Sequence, residues 1–210
     1  MKKKYKILLI IIAVLVVLLL GISGYFLFIH KTPEEPPLNE VKITNTIDEY
    51  GYLLEERDTE LFKEKFESLK TLLNAEEFDK QQYIQLVSEL FIIDLYTIDN
   101  KISRYDVGGL EYVYAPAVES LKSVAINSIY KTVENNVDFS RTQELPVVTS
   151  ITVGEITNYE YKMPDESTVS GYRVPVEWTY EKELGYDKSG VLILIPEDKK
   201  ISIVFFKPKS

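Results

Sequence analysis

The pattern of hydrophobic and polar positions starts with one long apolar run. Residues 7–29 carry no charged side chain, whereas lysines precede them at positions 2, 3, 4 and 6. At about 1.5 Å per residue, a helix of this length crosses the roughly 30 Å hydrocarbon core of a bilayer. Because Lys and Arg favour the cytoplasmic side, the pattern predicts a single-pass anchor in the cytoplasmic membrane, with the N-terminus inside and the C-terminal domain extracellular. A cleaved signal peptide is the alternative, but its apolar region would be shorter, about 7–15 residues.

The anchor divides the chain into four predicted parts. These are a cytoplasmic tail at 1–6, the transmembrane segment at 7–29, a spacer at 30–40 and an extracytoplasmic domain at 41–210. The prolines and glutamates of the spacer favour an extended, solvated chain. Because the spacer is short, we expect the domain to lie close to the membrane.

Beyond the spacer, the apolar positions predict a short strand and then a first helix. Tyr50, Tyr52 and Leu54 alternate as in a strand with one buried face. Asp58 and Thr59 are candidate N-caps of the helix. Its apolar face comprises Phe62, Phe66, Leu69 and Leu73, and its end is expected near Asn74.

Two further helices are predicted downstream. Asp79 is the candidate N-cap of the second, and the nearly continuous apolar segment Leu90–Ile98 indicates that this helix is central. A loop follows at Asp99–Ala115, in which Gly108 and Gly109 permit positive φ. Pro116 suits the first turn of the third helix, which is predicted to continue to about residue 135. The apolar positions of this helix are Leu121, Val124, Ile126, Ile129, Tyr130 and Val133.

After residue 146 the period of the apolar positions changes from 3.6 to 2, which predicts strands. Ile151 and Val153 alternate, and Tyr159 and Tyr161 continue the same strand beyond a bulge expected at Gly154. The next strand has the clearest alternation. Its apolar members are Tyr172, Val174, Val176, Trp178 and Tyr180.

Pro175 lies inside that strand and lacks an N–H group, so it indicates an edge or bulge position. Two more strands are predicted, Val191–Ile195 and one with Ile201, Ile203 and Phe205 on a shared face. The turns that precede them, at 184–190 and 196–200, are short enough for antiparallel hairpins.

Helices followed by hairpin-connected strands indicate an α+β fold. We expect three helices packed on a curved antiparallel sheet of about four strands, plus the short N-terminal strand and the membrane helix. From Asp58 to Phe206 this order resembles the nuclear-transport-factor-2-like (cone-shaped, cystatin-like) superfamily, without a diagnostic motif. The resemblance implies that the helices occupy the concave face of the sheet. It implies no activity, because the superfamily includes isomerases, dehydratases, transport factors and scaffolds.

Two other resemblances concern the setting of the domain. A membrane helix directly before such a domain is similar to the bitopic assembly factors of type IV secretion and Gram-positive conjugation. Leu90–Asn100 together with Tyr105–Gly109 is similar to uncharacterised anchored proteins of low-GC Gram-positive bacteria. A composition with 15 tyrosines, many Ile, Lys and Asn, and few Ala agrees with such a host.

Charge and composition exclude several classes of function. With the four N-terminal lysines inside, 20 basic and 33 acidic residues give the outer part a formal charge of −13, which disfavours a nucleic-acid partner. The chain has no Cys, so disulfides and thiolate catalysis are excluded. Its single histidine, His30, lies at the predicted membrane edge, which leaves no zinc site and no nucleophile–histidine pair. No metal and no cofactor are therefore predicted.

Candidate chemistry is reduced to carboxylates and aromatic side chains. Asp94, inside the apolar segment of the second helix, is a weak catalytic candidate, since burial would raise its pKa and suit a general acid or base. The alternative is that Asp94 bonds a loop N–H or an arginine such as Arg104 or Arg141. Calcium binding by Asp99, Asn100 and Asp106 is disfavoured because the loop lacks the alternating oxygen spacing.

A possible binding surface is formed by Tyr172, Trp178 and Tyr180, which could stack on a sugar or a peptide. Alternating aromatic residues on one strand face are also typical of a core.

Three functions remain open. The leading hypothesis is a non-enzymatic binding or scaffold domain with an envelope protein as its partner. The alternatives are a small-molecule binder or enzyme that uses a cone-shaped pocket with Asp94, and a subunit of a conjugation or secretion apparatus. A homo-oligomer is also open; Gly21 and Gly24 would let two helices approach, although their spacing is three rather than the four of the dimerisation motif.

Overall fold

The computed structural model describes residues 42–209. The predicted tail, anchor and spacer, with His30, Gly21 and Gly24, lie outside the described residues. Within residues 42–209, no helix has both the length and the apolar character needed to cross a membrane.

The described residues form an α+β fold with three α-helices, a two-stranded sheet and a five-stranded antiparallel sheet. The fold class expected for this region is thereby confirmed, with more strands than expected. In chain order the elements are β1 (Ile43–Ile47), β2 (Tyr52–Glu55), α1 (Glu60–Leu73), α2 (Lys80–Tyr96), α3 (Val118–Asn127), β3 (Val148–Val153), β4 (Thr157–Lys162), β5 (Thr168–Tyr180), β6 (Ser189–Glu197) and β7 (Lys200–Pro208). Short 3₁₀ turns occupy Leu110–Tyr112 and Ala115–Ala117.

The first two helices begin at the predicted caps. The hydroxyl of Thr59 accepts from the N–H of Phe62 at 3.3 Å, and the carboxylate of Asp79 accepts from the N–H of Gln81 at 2.8 Å. Each bond satisfies one of the N–H groups that the first turn of a helix leaves without a partner. The end of α1 at Asn74 is also as predicted.

Helix α2 is the centre of the core. Twelve of its 17 residues are buried, and it contacts α1, β3, β5 and β7. A helix that is apolar on nearly all sides is stable only when it is covered on nearly all sides. The predicted central position is therefore confirmed.

The two-stranded sheet contains the predicted N-terminal strand and one that the sequence did not reveal. Tyr52 and Leu54 of β2 are buried, as their alternation predicts. The partner strand β1 has only Ile47 buried, so its apolar pattern is too weak to recognise. The chain turns between them at Gly51, whose φ of +65° belongs to the left-handed region.

In the large sheet, β5, β6 and β7 are neighbours, and both β3 and β4 pair with β5. One strand with a bulge at Gly154 was expected here. Two strands are present, but the partner on β5 moves from Val176 at Val153 to Arg173 at Thr157. Three residues therefore face two, which confirms the predicted bulge at this point.

Pro175 lies opposite the bulge, and its carbonyl accepts from the N–H of Gly154 at 2.9 Å. The N and C=O of a strand residue point to the same neighbouring strand. The nitrogen of Pro175 therefore points to the bulge and not to β6, and its missing N–H removes no hydrogen bond of the sheet. Pro175 therefore lies at the bulge, one of the two positions predicted for it, rather than on an edge.

Helix α3 is shorter than predicted, since it ends at Asn127 instead of about residue 135. In its last turn the side chains of Asn127 and Ser128 bond to the carbonyls of Ser123 and Val124, at 2.8 and 2.6 Å. Such local bonds compete with continuation of the helix. The chain then forms turns, through which Tyr130 still reaches the core, whereas Val124 is 61% exposed.

A register shift also changes the last strand. Between Ile193 and Leu194 of β6 the partner residue moves from Phe205 to Ile203, so that Val204 is an extra residue. One extra residue turns every following side chain to the other face. Phe205 is therefore 46% exposed, contrary to its predicted face, and Phe206 packs inward.

Candidate functional site

Asp94 lies near the C-terminal end of α2, with both carboxylate oxygens bonded. Oδ1 is 2.5 Å from Nζ of Lys101, and Oδ2 accepts from the N–H of Gly109 at 2.6 Å. The predicted loop N–H partner is thus found, but the ion-pair partner is a lysine rather than Arg104 or Arg141. Arg141 instead donates to backbone carbonyls, among them that of Asp99 at 2.6 Å.

The two glycines of the loop let the backbone approach Asp94. Gly109 has a φ of +79°, which favours glycine. At Gly108, an added Cβ would lie 2.4 Å from the carbonyl oxygen of Asp94 and 2.6 Å from its Oδ1. The sequence predicted a turn here, but not that close contact with a carboxylate requires glycine.

Lys101 is buried beside this carboxylate, with its side chain 2% exposed. Burial alone would lower the pKa of Lys101, but attraction to Asp94 and to other negative groups raises it above its ordinary value. Lys101 therefore stays charged.

A second ion pair lies next to the first. The guanidinium of Arg57 makes two hydrogen bonds to the carboxylate of Asp106 and one to that of Glu55. Burial acts to raise the pKa of Asp106, but its bonds to Arg57 and to the N–H of Ile102 lower it overall. Asp106 is thus a structural anion, and Asn100 donates to the carbonyl of Arg57. Among residues 42–209 no group of three or more His, Cys, Asp or Glu residues could hold a metal ion.

Two more carboxyl groups, those of Asp58 and Glu111, lie beside these ion pairs. Asp58 is 6% exposed and accepts from the N–H of Glu55 at 2.7 Å. Burial, and secondarily repulsion from Asp94, raises the pKa of Asp58 to about 7. The same two causes raise the pKa of Glu111 to about 8. This carboxyl cluster, defined as Glu55, Asp58, Asp94, Asp106 and Glu111 with the cations Arg57 and Lys101, lines a cavity of about 70 Å³.

The cavity is too small for most organic ligands. Sites for drug-sized molecules have volumes of about 300–1,000 Å³. Both oxygens of Asp94 are already bonded, and the neighbouring Lys101 is paired with it. The geometry therefore favours the alternative in which Asp94 supports the loop, rather than a catalytic role.

The space between the helices and the sheet is filled with aromatic side chains. Tyr96 lies 4.7 Å from Trp178 and 6.1 Å from Phe206, measured between ring centroids. Trp178 is 2% exposed, and its Nε1 donates to the hydroxyl of Tyr180 at 2.7 Å. That hydroxyl donates in turn to the carbonyl of Asp187 at 2.6 Å.

The three aromatic residues proposed as a stacking surface do not form one exposed surface. Trp178 is in the core and Tyr180 is half-buried in its hydrogen-bond network. Tyr172 lies apart, with the ammonium of Lys80 at 5.1 Å from its ring centroid. Their arrangement agrees with the core alternative of the sequence analysis.

The sequence did not predict an apolar groove between α3 and β7. The groove has a volume of about 260 Å³, and Val124 and Phe205 are large exposed apolar side chains at its border. Its other lining residues are Val113, Ala117, Ser120, Leu121, Ile203, Val204 and Phe206. Phe205 lies at its border because the extra residue Val204 turns this side chain outward. The extra residue has no clear signal in the sequence.

Comparison with known proteins leaves the fold as the only classification. No family model, curated protein or solved structure matches the chain. Residues 42–209 define an α+β protein whose central helix packs on an antiparallel sheet, with a carboxyl cluster on one side and an apolar groove on another.

Proposed function

We propose that the chain is a single-pass membrane protein whose α+β domain is a non-enzymatic binding or scaffold module at the outer face of the cytoplasmic membrane. The observation that carries the proposal is the apolar groove with Val124 61% and Phe205 46% exposed at its border. The partner is an envelope protein with an apolar surface that covers these two side chains.

Solvation of the groove supports a binding role. Apolar surface left in water forfeits about 25 cal/mol per Å² of the stabilisation that burial would give. Contiguous exposed apolar patches on soluble domains frequently mark protein contacts. The groove is a contiguous apolar surface rather than a single exposed residue, because two elements distant in sequence, α3 and β7, both contribute to it.

Membrane attachment rests on the sequence. The uncharged run at 7–29 behind a lysine-rich start supports an anchor with the N-terminus inside. With an anchor and a short spacer, the domain meets partners near the bilayer surface.

The fold-family resemblance remains part of the proposal. Helices that precede a hairpin-connected antiparallel sheet support an NTF2-like assignment. Together with the anchor they support, less directly, a role as a conjugation or secretion subunit. Transfer or secretion genes beside the coding sequence would favour that role.

An enzyme or small-molecule binder that uses Asp94 has less support. The interior is filled by Tyr96, Trp178 and Phe206, and the cavity at Asp94 is small. This alternative requires a ligand-induced rise in melting temperature that Asp94→Asn abolishes.

Photocrosslinking in intact cells tests the binding proposal. A benzoyl-phenylalanine is placed at position 124 or 205 of the full chain, and at position 139 as the control, because Phe139 is 76% exposed and lies outside the groove. We expect one defined envelope-protein adduct from 124 and 205, and none from 139. In a second arm, Val124→Asp removes the adduct from 205 without a change in melting temperature.

Equal adducts at all three positions, or none at the groove positions, would reject the groove as the binding site. An adduct with a second copy of the chain would replace the envelope partner by a homo-oligomer.

A further inference from the structure

The carboxyl cluster joins segments that are far apart in sequence. Glu55 ends strand β2, Arg57 and Asp58 follow it, and Asp94 belongs to α2. Lys101, Asp106 and Glu111 belong to the loop between α2 and α3. Five carboxyl groups face two cations there. We call the contact between residues 55–58 and 101–111 the hairpin–loop junction.

The cations serve only three of the five carboxyl groups. Arg57 pairs with Glu55 and Asp106, and Lys101 pairs with Asp94. Within residues 42–209, Asp58 and Glu111 form no ion pair. Asp58 is held by a backbone N–H, and Glu111 lies beside Asp94 with its own carbonyl accepting from Lys200.

We propose that Asp58 and Glu111 form a proton-dependent latch, which holds the hairpin–loop junction closed while both carboxyls are neutral and loosens it when both ionise. The inference goes beyond the proposed binding function and does not depend on the apolar groove.

Electrostatics gives the direction of the switch. Burial, and then repulsion from Asp94, raises the pKa values of Asp58 and Glu111 to about 7 and about 8. Below these values the cluster contains two cations and three anions. Above them it contains two cations and five anions in a cavity of about 70 Å³. Like charges in such a poorly solvated space repel strongly.

The charged and titratable groups that face the two carboxyls come from every neighbouring element. They are Tyr52 and Glu55 of β2, Arg57 after it, Asp94 of α2, Lys101 and Asp106 of the loop, Tyr112 of the 3₁₀ turn and Lys200 of β7. The nearest cations are already paired or are bonded to a backbone carbonyl. Two additional negative charges would leave the cluster with three more anions than cations.

Core contacts outside the junction have partners of their own. Tyr52 is anchored by its hydroxyl contact with Tyr83 at 2.8 Å, and the Tyr96–Trp178 contact belongs to the sheet side of α2. Loosening is therefore confined to the junction.

Two backbone amides report the state of the latch. The N–H of Glu55 donates to Asp58, and the N–H of Gly109 donates to Asp94. The N–H of Trp178, which donates to Lys188, and that of Gly51, which donates to Ile47, are controls outside the junction. Hydrogen exchange of the full chain in detergent, resolved by residue through mass-spectrometric fragmentation, measures all four.

We expect protection of the Glu55 and Gly109 amides to fall at least tenfold between pH 6 and pH 9, after correction for intrinsic exchange rates. Trp178 and Gly51 keep theirs. Asp58→Asn combined with Glu111→Gln removes the pH dependence, whereas the control Glu76→Gln with Glu77→Gln, at two exposed positions, retains it.

Equal loss of protection at all four amides, or no loss at Glu55 and Gly109, would overturn the latch. If the double variant does not fold, infrared spectroscopy of the wild-type protein tests the latch instead. The infrared carbonyl band of protonated carboxyl groups must be present at pH 6 and disappear by pH 9, and a spectrum without that band at pH 6 refutes the proposal.

Discussion

Lys101 and Asp94 form an ion pair in which the lysine is almost completely removed from water, with 2% of its side chain exposed. The pair holds the loop that follows α2 against this helix, because the same carboxylate also accepts from the N–H of Gly109. Removal of either partner leaves the other charge buried without compensation, which is strongly destabilising.

Removal of the lysine should therefore be costly. We expect Lys101→Met to lower the free energy of unfolding by about 3–5 kcal/mol, since it leaves Asp94 without its counter-charge. Urea denaturation of the full chain in detergent provides the measurement. The matched control is Lys188→Met, whose partner Glu183 is 64% exposed, and its effect should stay below about 1 kcal/mol. Adding Asp94→Asn to Lys101→Met should recover part of the loss; equal losses for Lys101→Met and Lys188→Met would contradict this account.

Gly108 gives a second test of the same contact. Gly108→Ala should destabilise the domain by about 1–3 kcal/mol, because its Cβ would lie 2.6 Å from the Asp94 carboxylate. Gly185→Ala is the comparison. Gly185 has a φ of +78° but nothing within 4 Å of an added Cβ, so it isolates the backbone cost of roughly 1–2 kcal/mol. Double-mutant cycles test the contact. Lys101→Met should change the destabilisation caused by Gly108→Ala and leave that caused by Gly185→Ala unchanged. Equal coupling energies in the two cycles would count against the contact.

Stability should decrease as the pH rises from 5 to 8. The pKa of Asp58 is raised to about 7 in the folded protein, from 3.8, so its contribution is complete below the unfolded value and is lost as the pH rises through the folded one. Glu111, raised from 4.5 to about 8, acts in the same direction. Each group contributes at most about 1.4 kcal/mol per pH unit within its window.

Asp106 acts in the opposite direction at lower pH. Its pKa is lowered by Arg57, so its contribution is present above the unfolded value of 3.8 and is lost as the pH falls through the lower folded value. Urea midpoints at half-unit steps of pH measure the whole profile. Asp58→Asn should flatten the decrease between pH 5 and 7, and a wild-type stability that rises over this range would refute the assignment.

The sequence predicts those parts of the fold that depend on neighbours in the chain. The caps at Thr59 and Asp79 and the central position of α2 follow from local hydrogen bonding and from an apolar segment without interruption. The end of α3 depends on side-chain bonds of Asn127 and Ser128, and the extra residue of β7 depends on pairing with β6. Neither carries a periodic signal, so the predicted helix was too long and Phe205 was assigned to the wrong face.

The candidate site shows the same division. A loop N–H partner for Asp94 could be predicted, because a buried carboxylate needs hydrogen-bond donors. The lysine partner could not, since Lys101 and Arg104 lie only 7 and 10 residues after Asp94 and the folded loop decides between them. The groove at Phe205 depends on a single extra residue in β7. No alternation of apolar residues can reveal it, because the bulge reverses that alternation halfway along the strand.

Phe205 and Phe206 let this reversal be measured directly. Phe206 packs against Phe91 and Tyr96 at 5.7 and 6.1 Å between ring centroids, whereas Phe205 is 46% exposed. We expect Phe206→Ala to lower the free energy of unfolding by about 2–4 kcal/mol and Phe205→Ala by less than about 1 kcal/mol. Chemical denaturation of the two variants compares them under identical conditions. A strand without the extra residue would place Phe205 inward and reverse the order of the two effects. The same pair also separates folding from binding, because Phe205→Ala should weaken the crosslink from position 124 while leaving the stability of the domain nearly unchanged.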